Sequence, residues 1–177
     1  MKIKLLLVAV ALLWINAGCN MVRSMVKSSI PYTATLTIPA MSDAGITHST
    51  VSTAASFDRN FAVNGISLGK VSEVSLISAK MESTTPADYN LGDLTWVKLY
   101  ASKADGKNEV LIASRTDISA TTGNTLILDA ISTQFLDQYV REKDIRIRMA
   151  YQLRNKPTTD VSVHLVLGMN AYPGEHN

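Results

Sequence analysis

The sequence predicts an all-β domain: an antiparallel β-sandwich of about seven or eight strands with one short helix, following a cleaved signal peptide. Three observations carry that expectation. Beyond residue 31, short stretches rich in Val, Ile, Thr and Ser recur between turn signals. The last two of these stretches alternate apolar and polar residues with period two, as half-buried strands do. The strand-helix-strand alternation that builds parallel sheets is missing. A closed barrel is the alternative arrangement of the same strands.

Tyr32 to Ile38 places Ala34, Leu36 and Ile38 on one side and stops at Pro39. Residues 47–57 are rich in Ser and Thr and alternate only weakly, which reads as an edge strand or one polar on both faces. Residues 60–70 are irregular, and 71–81 return to strand character with Ile77, Ala79 and Met81 on one face. Pro86, Asn90 and Gly92 mark residues 84–94 as a loop. Residues 95–101 and 109–114 form a hairpin about Asp105-Gly106, and 125–128 follow the Gly123-Asn124 turn. Residues 133–142 carry Phe135, Leu136, Tyr139 and Val140 at helical spacing behind Ser132, a suitable N-cap.

The strongest local pattern comes last. Ile145, Ile147, Met149, Tyr151 and Leu153 alternate with polar residues, as do Val161, Val163, Leu165, Leu167 and Met169. A hairpin through residues 155–159, with Leu153 opposite Val161 and Arg154 opposite Asp160, puts all ten on one face. At ~1.5–3 kcal/mol each they contribute roughly 15–30 kcal/mol of gross burial, an upper bound before chain entropy.

The N-terminus has different chemistry. Lys2 and Lys4 precede an apolar run from Leu5 to Ile15 that ends in the small residues Ala17 and Gly18, the layout of a secretory signal peptide. Eleven apolar residues at 1.5 Å rise cover about half of a ~30 Å hydrocarbon core, too little for a permanent span. Cys19, the one cysteine of the chain, follows directly and has no partner for a disulfide. Ile15-Asn16-Ala17-Gly18-Cys19 resembles a bacterial lipobox, with Asn16 standing where an apolar residue is usual. The resemblance implies that Cys19 is acylated and becomes the mature N-terminus. Two or three acyl chains at ~0.8 kcal/mol per buried methylene hold such a protein on a bilayer. Asn20 in the following position implies the outer membrane where a cell has one. The expected division is therefore a leader over 1–18, a lipidated tether over 19–31 and one β-sandwich domain over 32–177. That domain is similar to small β-sandwich lipoproteins of bacterial envelopes, a likeness that implies no activity.

Composition limits the partners. Loss of Lys2 and Lys4 brings the 17 basic residues level with the 15 acidic ones, so clustered phosphate recognition, and with it nucleic acid, is not expected. The expected partners are the membrane, through the lipid, and an envelope protein or glycan.

Candidate chemistry is sparse. Gly65-Ile66-Ser67-Leu68-Gly69 matches the G-x-S-x-G string of serine hydrolases, and Asp117 or Asp129 followed by His164 satisfies their chain order. The strand-turn-helix context that gives the string meaning is absent, because β-branched residues follow it. The three histidines, His48, His164 and His176, lack metal-ligand spacing, so neither a metal nor another cofactor is expected. Asp88 to Asp93 carries oxygen ligands, but glycine occupies its fifth place and turn chemistry accounts for the segment. Arg146, Arg148 and Arg154 share one strand face and are the candidate ligand-facing row, toward anionic lipid or glycan. Tyr89, Trp96 and Tyr100 could form a sugar platform, although Trp96 and Tyr100 share strand parity and read better as core. The leading expectation is a non-enzymatic binding or structural module. The alternatives are a serine-hydrolase-like enzyme using Ser67 and His164, and a subunit of a surface assembly that pairs through the edge strand near residues 47–57.

Overall fold

The computed structural model describes residues 28–56, 71–140 and 144–173. The leader, Cys19, Ser67 and His176 lie outside the described residues. Eight strands follow in chain order: β1 (Ser28–Ile38), β2 (Thr47–Ser56), β3 (Val71–Thr85), β4 (Leu94–Ser102), β5 (Val110–Arg115), β6 (Thr125–Ala130), β7 (Asp144–Leu153) and β8 (Val161–Pro173). A 3-10 turn, Leu91–Asp93, precedes β4, and a single helical turn, α1 (Asp137–Val140), precedes β7. The first strand starts at Ser28, inside the stretch expected to be tether.

All pairings are antiparallel. β1 pairs β8, β2 pairs β7, β3 pairs β6 and β4 pairs β5, so the chain runs as one long doubled ribbon that turns at Asp105-Gly106. Gly106 takes φ +80°, and the Lys107 amide donates to Asp105 Oδ1, which accounts for the tight turn. The ribbon then wraps: β4 adds to β7 and β3 adds to β8. The resulting order, β1-β2-β7-β4-β5-β6-β3-β8, closes on itself as a barrel wound in the manner of a jelly roll.

Closure corrects the expected sandwich. Four-stranded walls, β2-β7-β4-β5 and β1-β8-β3-β6, do face one another, but they are joined at both seams. Tyr32 and Thr33 of β1 pair with Ser56 and Ala55, and Ala113 and Ser114 of β5 pair with Ala130 and Asp129. Beyond its two pairs with β1, the rest of β2 has no ladder on that side among the described residues, in keeping with the edge character expected for it.

The ten alternating residues of β7 and β8 are all buried, as their periodicity requires. Their pairing differs from expectation. β7 and β8 belong to opposite walls and meet across the interior rather than edge to edge. Period two determines which side faces inward and leaves the neighbour open; the segment over 154–160 crosses the barrel end instead of making a tight hairpin. Arg154 and Asp160 accordingly do not pair: Asp160 Oδ1 accepts from the Ala40 amide, and Arg154 serves another loop.

The predicted helix over 133–142 shrinks to α1. Phe135 bridges Ser75 and the Leu136 amide donates to the Val74 carbonyl, which commits the expected first turn to β3. Tyr139 and Val140 remain buried, and the Tyr139 hydroxyl donates to the Asn108 carbonyl at 2.5 Å. Trp96 and Tyr100 also depart from expectation. Val97, Leu99 and Ala101 take the interior side of β4, leaving Trp96, Lys98 and Tyr100 half-buried on the outside. Apolar residues inside and Ser, Thr and Arg outside invert the pattern of a membrane-spanning barrel. Among the described residues no helix is long and apolar enough to cross a membrane.

Candidate functional site

Strand direction gives the barrel two chemically different ends. One gathers the start of β1 at Ser28, the β4–β5 hairpin, α1 and the start of β7. The other gathers the β1–β2, β3–β4, β5–β6 and β7–β8 loops. Each strand length sets the separation: β1 alone spans 11 residues, or ~35 Å at about 3.3 Å per residue.

The four loops are braced to one another. Met41 and Gly45 donate backbone bonds to the Pro157 and Leu153 carbonyls, both at 2.9 Å, and Lys156 Nζ lies 2.6 Å from Asp43 Oδ1. The Arg154 amide donates to the Asp93 carbonyl at 2.6 Å, and Asn155 Nδ2 donates to Asp93 Oδ1 at 2.7 Å. Arg154 reaches further, its guanidinium donating to the Ile118 carbonyl at 2.9 Å. Asn90 Oδ1 accepts from both Gly92 and Gly123 amides while its Nδ2 donates to the Ala120 carbonyl. Loops with their polar groups so engaged have surrendered their conformational entropy before meeting any partner.

At the edge of this platform Met41 holds φ +61° and is 64% exposed. A non-glycine residue in the left-handed region costs ~1–2 kcal/mol, and here it turns an apolar side chain outward. Nearby, the His48 ring stacks on Tyr151 at 5.4 Å, and its Nε2–H donates to the Asp43 carbonyl. Lys156, by hydrogen bonding and charge, holds the Asp43 carboxyl below the usual carboxylate range. Burial pushes the Tyr89 phenol up, with the Asp93 carboxylate adding to it.

Met41→Gly is expected to stabilise the fold by ~0.5–1 kcal/mol, the strain released less the extra entropy of an unfolded glycine. A rise in the urea midpoint with unchanged slope checks it.

The expected arginine row divides. Arg148 lies over the Tyr100 ring at 4.2 Å and makes a bidentate pair with Glu109, its Nε donating at 2.8 Å. Arg154 is a loop brace, removed from the other two. Arg146 borders a cleft of about 270 Å³ with Val51, Thr53, Ala104 and Asp144. Glu109 escaped sequence reasoning because its partners lie on β7, across β4 from the start of β5, and only the barrel order shows them together.

Hydrogen bonds from Arg148, then the nearby arginine charges, hold the Glu109 carboxyl below its ordinary range. A depressed folded value means stability that is present above the unfolded glutamate value of ~4.3 and lost as pH falls through the folded one. Glu109→Gln is therefore expected to lose less stability than the parent between pH 6 and pH 3, as read from urea midpoints.

His164 sits on the outer face of β8, opposite Thr35 and Glu82. Glu82 of β3 is its cross-strand carboxylate, a neighbour that the expected β7–β8 hairpin does not supply. Asn90 and Gly92 follow turn chemistry as expected. Among the described residues no three potential metal-ligating side chains gather.

No protein-family model matches this chain, and no curated protein matches it. Similar solved structures include a chain of a Nora virus structure, 12% identical, with 86% of this chain and 62% of that chain covered and a TM-score of 0.36. A Desmodium yellow mottle tymovirus chain is 10% identical, with 86% and 90% covered and a TM-score of 0.29. This chain thus spans under two thirds of the length of the Nora virus chain.

Proposed function

We propose that this chain is a lipid-anchored protein of the bacterial cell envelope, attached through Cys19 to the outer membrane, and that it acts as a non-enzymatic binding module. The observation that supports this reading is the polarity of the barrel. The strand leading from Cys19 enters at one end, and the four mutually braced loops occupy the other. A platform of preformed loops loses little entropy on binding, and its position carries it away from the bilayer toward an envelope protein or glycan.

Two measurements test the two halves. Cells grown with an alkyne-bearing fatty acid should label the parent and leave Cys19→Ala unlabelled; an unlabelled parent ends the anchoring claim. A photoreactive side chain placed at Thr158, on the β7–β8 loop, should yield a discrete adduct in intact cells, whereas one at Asn108, on the β4–β5 hairpin, should not. Adducts from Asn108 alone would reverse the assignment of the binding end. Met41→Gly should lower the Thr158 adduct yield while leaving the protein folded.

A further inference from the structure

The end of the barrel opposite the braced loops carries two opposite charges that the fold holds apart. Asp144 opens β7 and Arg146 follows on the same outward face, ~7 Å further along the strand. Both line the cleft of about 270 Å³ that Val51 and Thr53 of β2 border from the side. That volume lies just under the usual range of small-molecule sites.

Arg146 is positioned yet under-used. Its Nη1 donates to Ser102 Oγ at a long 3.5 Å and lies 3.9 Å from Glu109 Oε1, whose carboxylate is already committed to Arg148. Gly106 of the hairpin covers it, since a Cβ there would sit 3.5 Å from Nη1. Arg146 does not close on Asp144, and the Asp144 carboxylate has no hydrogen-bond or ion-pair partner among the described residues. A fixed guanidinium suits a phosphate, with donors arranged in a fork. A carboxylate two residues away suits an ammonium that can donate hydrogen bonds.

We infer that the Asp144–Arg146 cleft binds a phosphoethanolamine group, phosphate on Arg146 and ammonium on Asp144. The net-neutral pair of charges favours a zwitterion over the anionic ligand that the arginine row by itself would suggest. The cleft lies at the end where β1 begins, so under the anchored reading above it faces the headgroups of the bilayer holding Cys19. Binding of the free group does not depend on that anchoring.

The test uses the full chain in an uncharged maltoside detergent, titrated by calorimetry with phosphoethanolamine, phosphocholine and inorganic phosphate. Phosphoethanolamine should bind at least tenfold tighter than either control, because the quaternary ammonium of phosphocholine offers no N–H and phosphate offers no cation. Arg146→Gln and Asp144→Asn should each weaken it tenfold or more, and Asp144→Asn should abolish the preference over phosphocholine. Equal affinity for the three probes, or indifference to both substitutions in variants with parental unfolding midpoints, would overturn the inference. Hydrogen exchange of the β4–β5 hairpin in phosphatidylethanolamine against phosphatidylcholine nanodiscs separates the sources. Protection in the former alone assigns a lipid headgroup, and protection by the free compound alone assigns a soluble ligand. Loss of acylation at Cys19 would leave the calorimetric result standing, so the two proposals fail separately.

Discussion

Leu165→Ala is expected to destabilise the barrel by about 2–5 kcal/mol, the range for deleting a buried leucine side chain that leaves a cavity behind. Leu165 lies mid-strand on β8, opposite Ala34 of β1 and Met81 of β3, and all three are buried. The wall cannot collapse into the space, because the backbone on both sides is fixed by ladder hydrogen bonds and the opposite wall carries its own packed row, Ile147 and Met149 among it. For a domain of this size the loss corresponds to a fall in Tm of about 5–15 °C. Thermal unfolding checks it, and a change under 1 kcal/mol would mean that Leu165 does not sit in the core.

Gly92→Ala should cost about 1–3 kcal/mol, the usual penalty of overpacking, and should do its damage locally. A Cβ at this position would lie 2.5 Å from the Ser119 and Ala120 carbonyl oxygens, backbone atoms that no rotamer change can move. The β3–β4 and β5–β6 loops must therefore separate, and with them go the Asn90 bonds to Ala120 and Gly123. Faster amide exchange at Gly123 and a lower Thr158 adduct yield are the expected accompaniments. Gly45, with φ +78° but open space around it, should resent alanine for its backbone conformation and not for crowding.

What the sequence made legible follows from the range of the forces involved. Alternation is a local property, so the inward residues of β7 and β8, the limits of most strands and the Asp105-Gly106 turn were all readable. Choosing a strand's neighbour requires non-local information. Leu153 could face Val161 across a hairpin or across a barrel with the same burial, and the chain takes the second course because the segment over 154–160 is tied to the β3–β4 and β1–β2 loops. Part of the site follows from the same non-local choice. A β7–β8 hairpin does not bring Glu82 beside His164, Glu109 reaches Arg148 only across β4, and Arg154 lies just past the end of β7 in a loop. Trp96 and Tyr100 were misread for a different reason. Their shared parity was correctly noted, but parity alone does not say which face is inside, and Val97, Leu99 and Ala101 took it. Asn90 was legible as a turn residue and illegible as the hub of two loops, since its second partner lies 33 residues away.

The claim on which the functional account rests is that the barrel stands with the β1 entry toward the bilayer and the braced loops away from it. With Cys19 acylated, a cysteine introduced at Thr158 or at Asn108 is the sole reactive thiol of the chain, so a fluorophore can be placed at either end. Quenching by lipid-borne spin labels in reconstituted vesicles should be strong from Asn108 and near zero from Thr158, because ~35 Å of strand separates the ends. Equal quenching at both sites, or stronger quenching from Thr158, would contradict it.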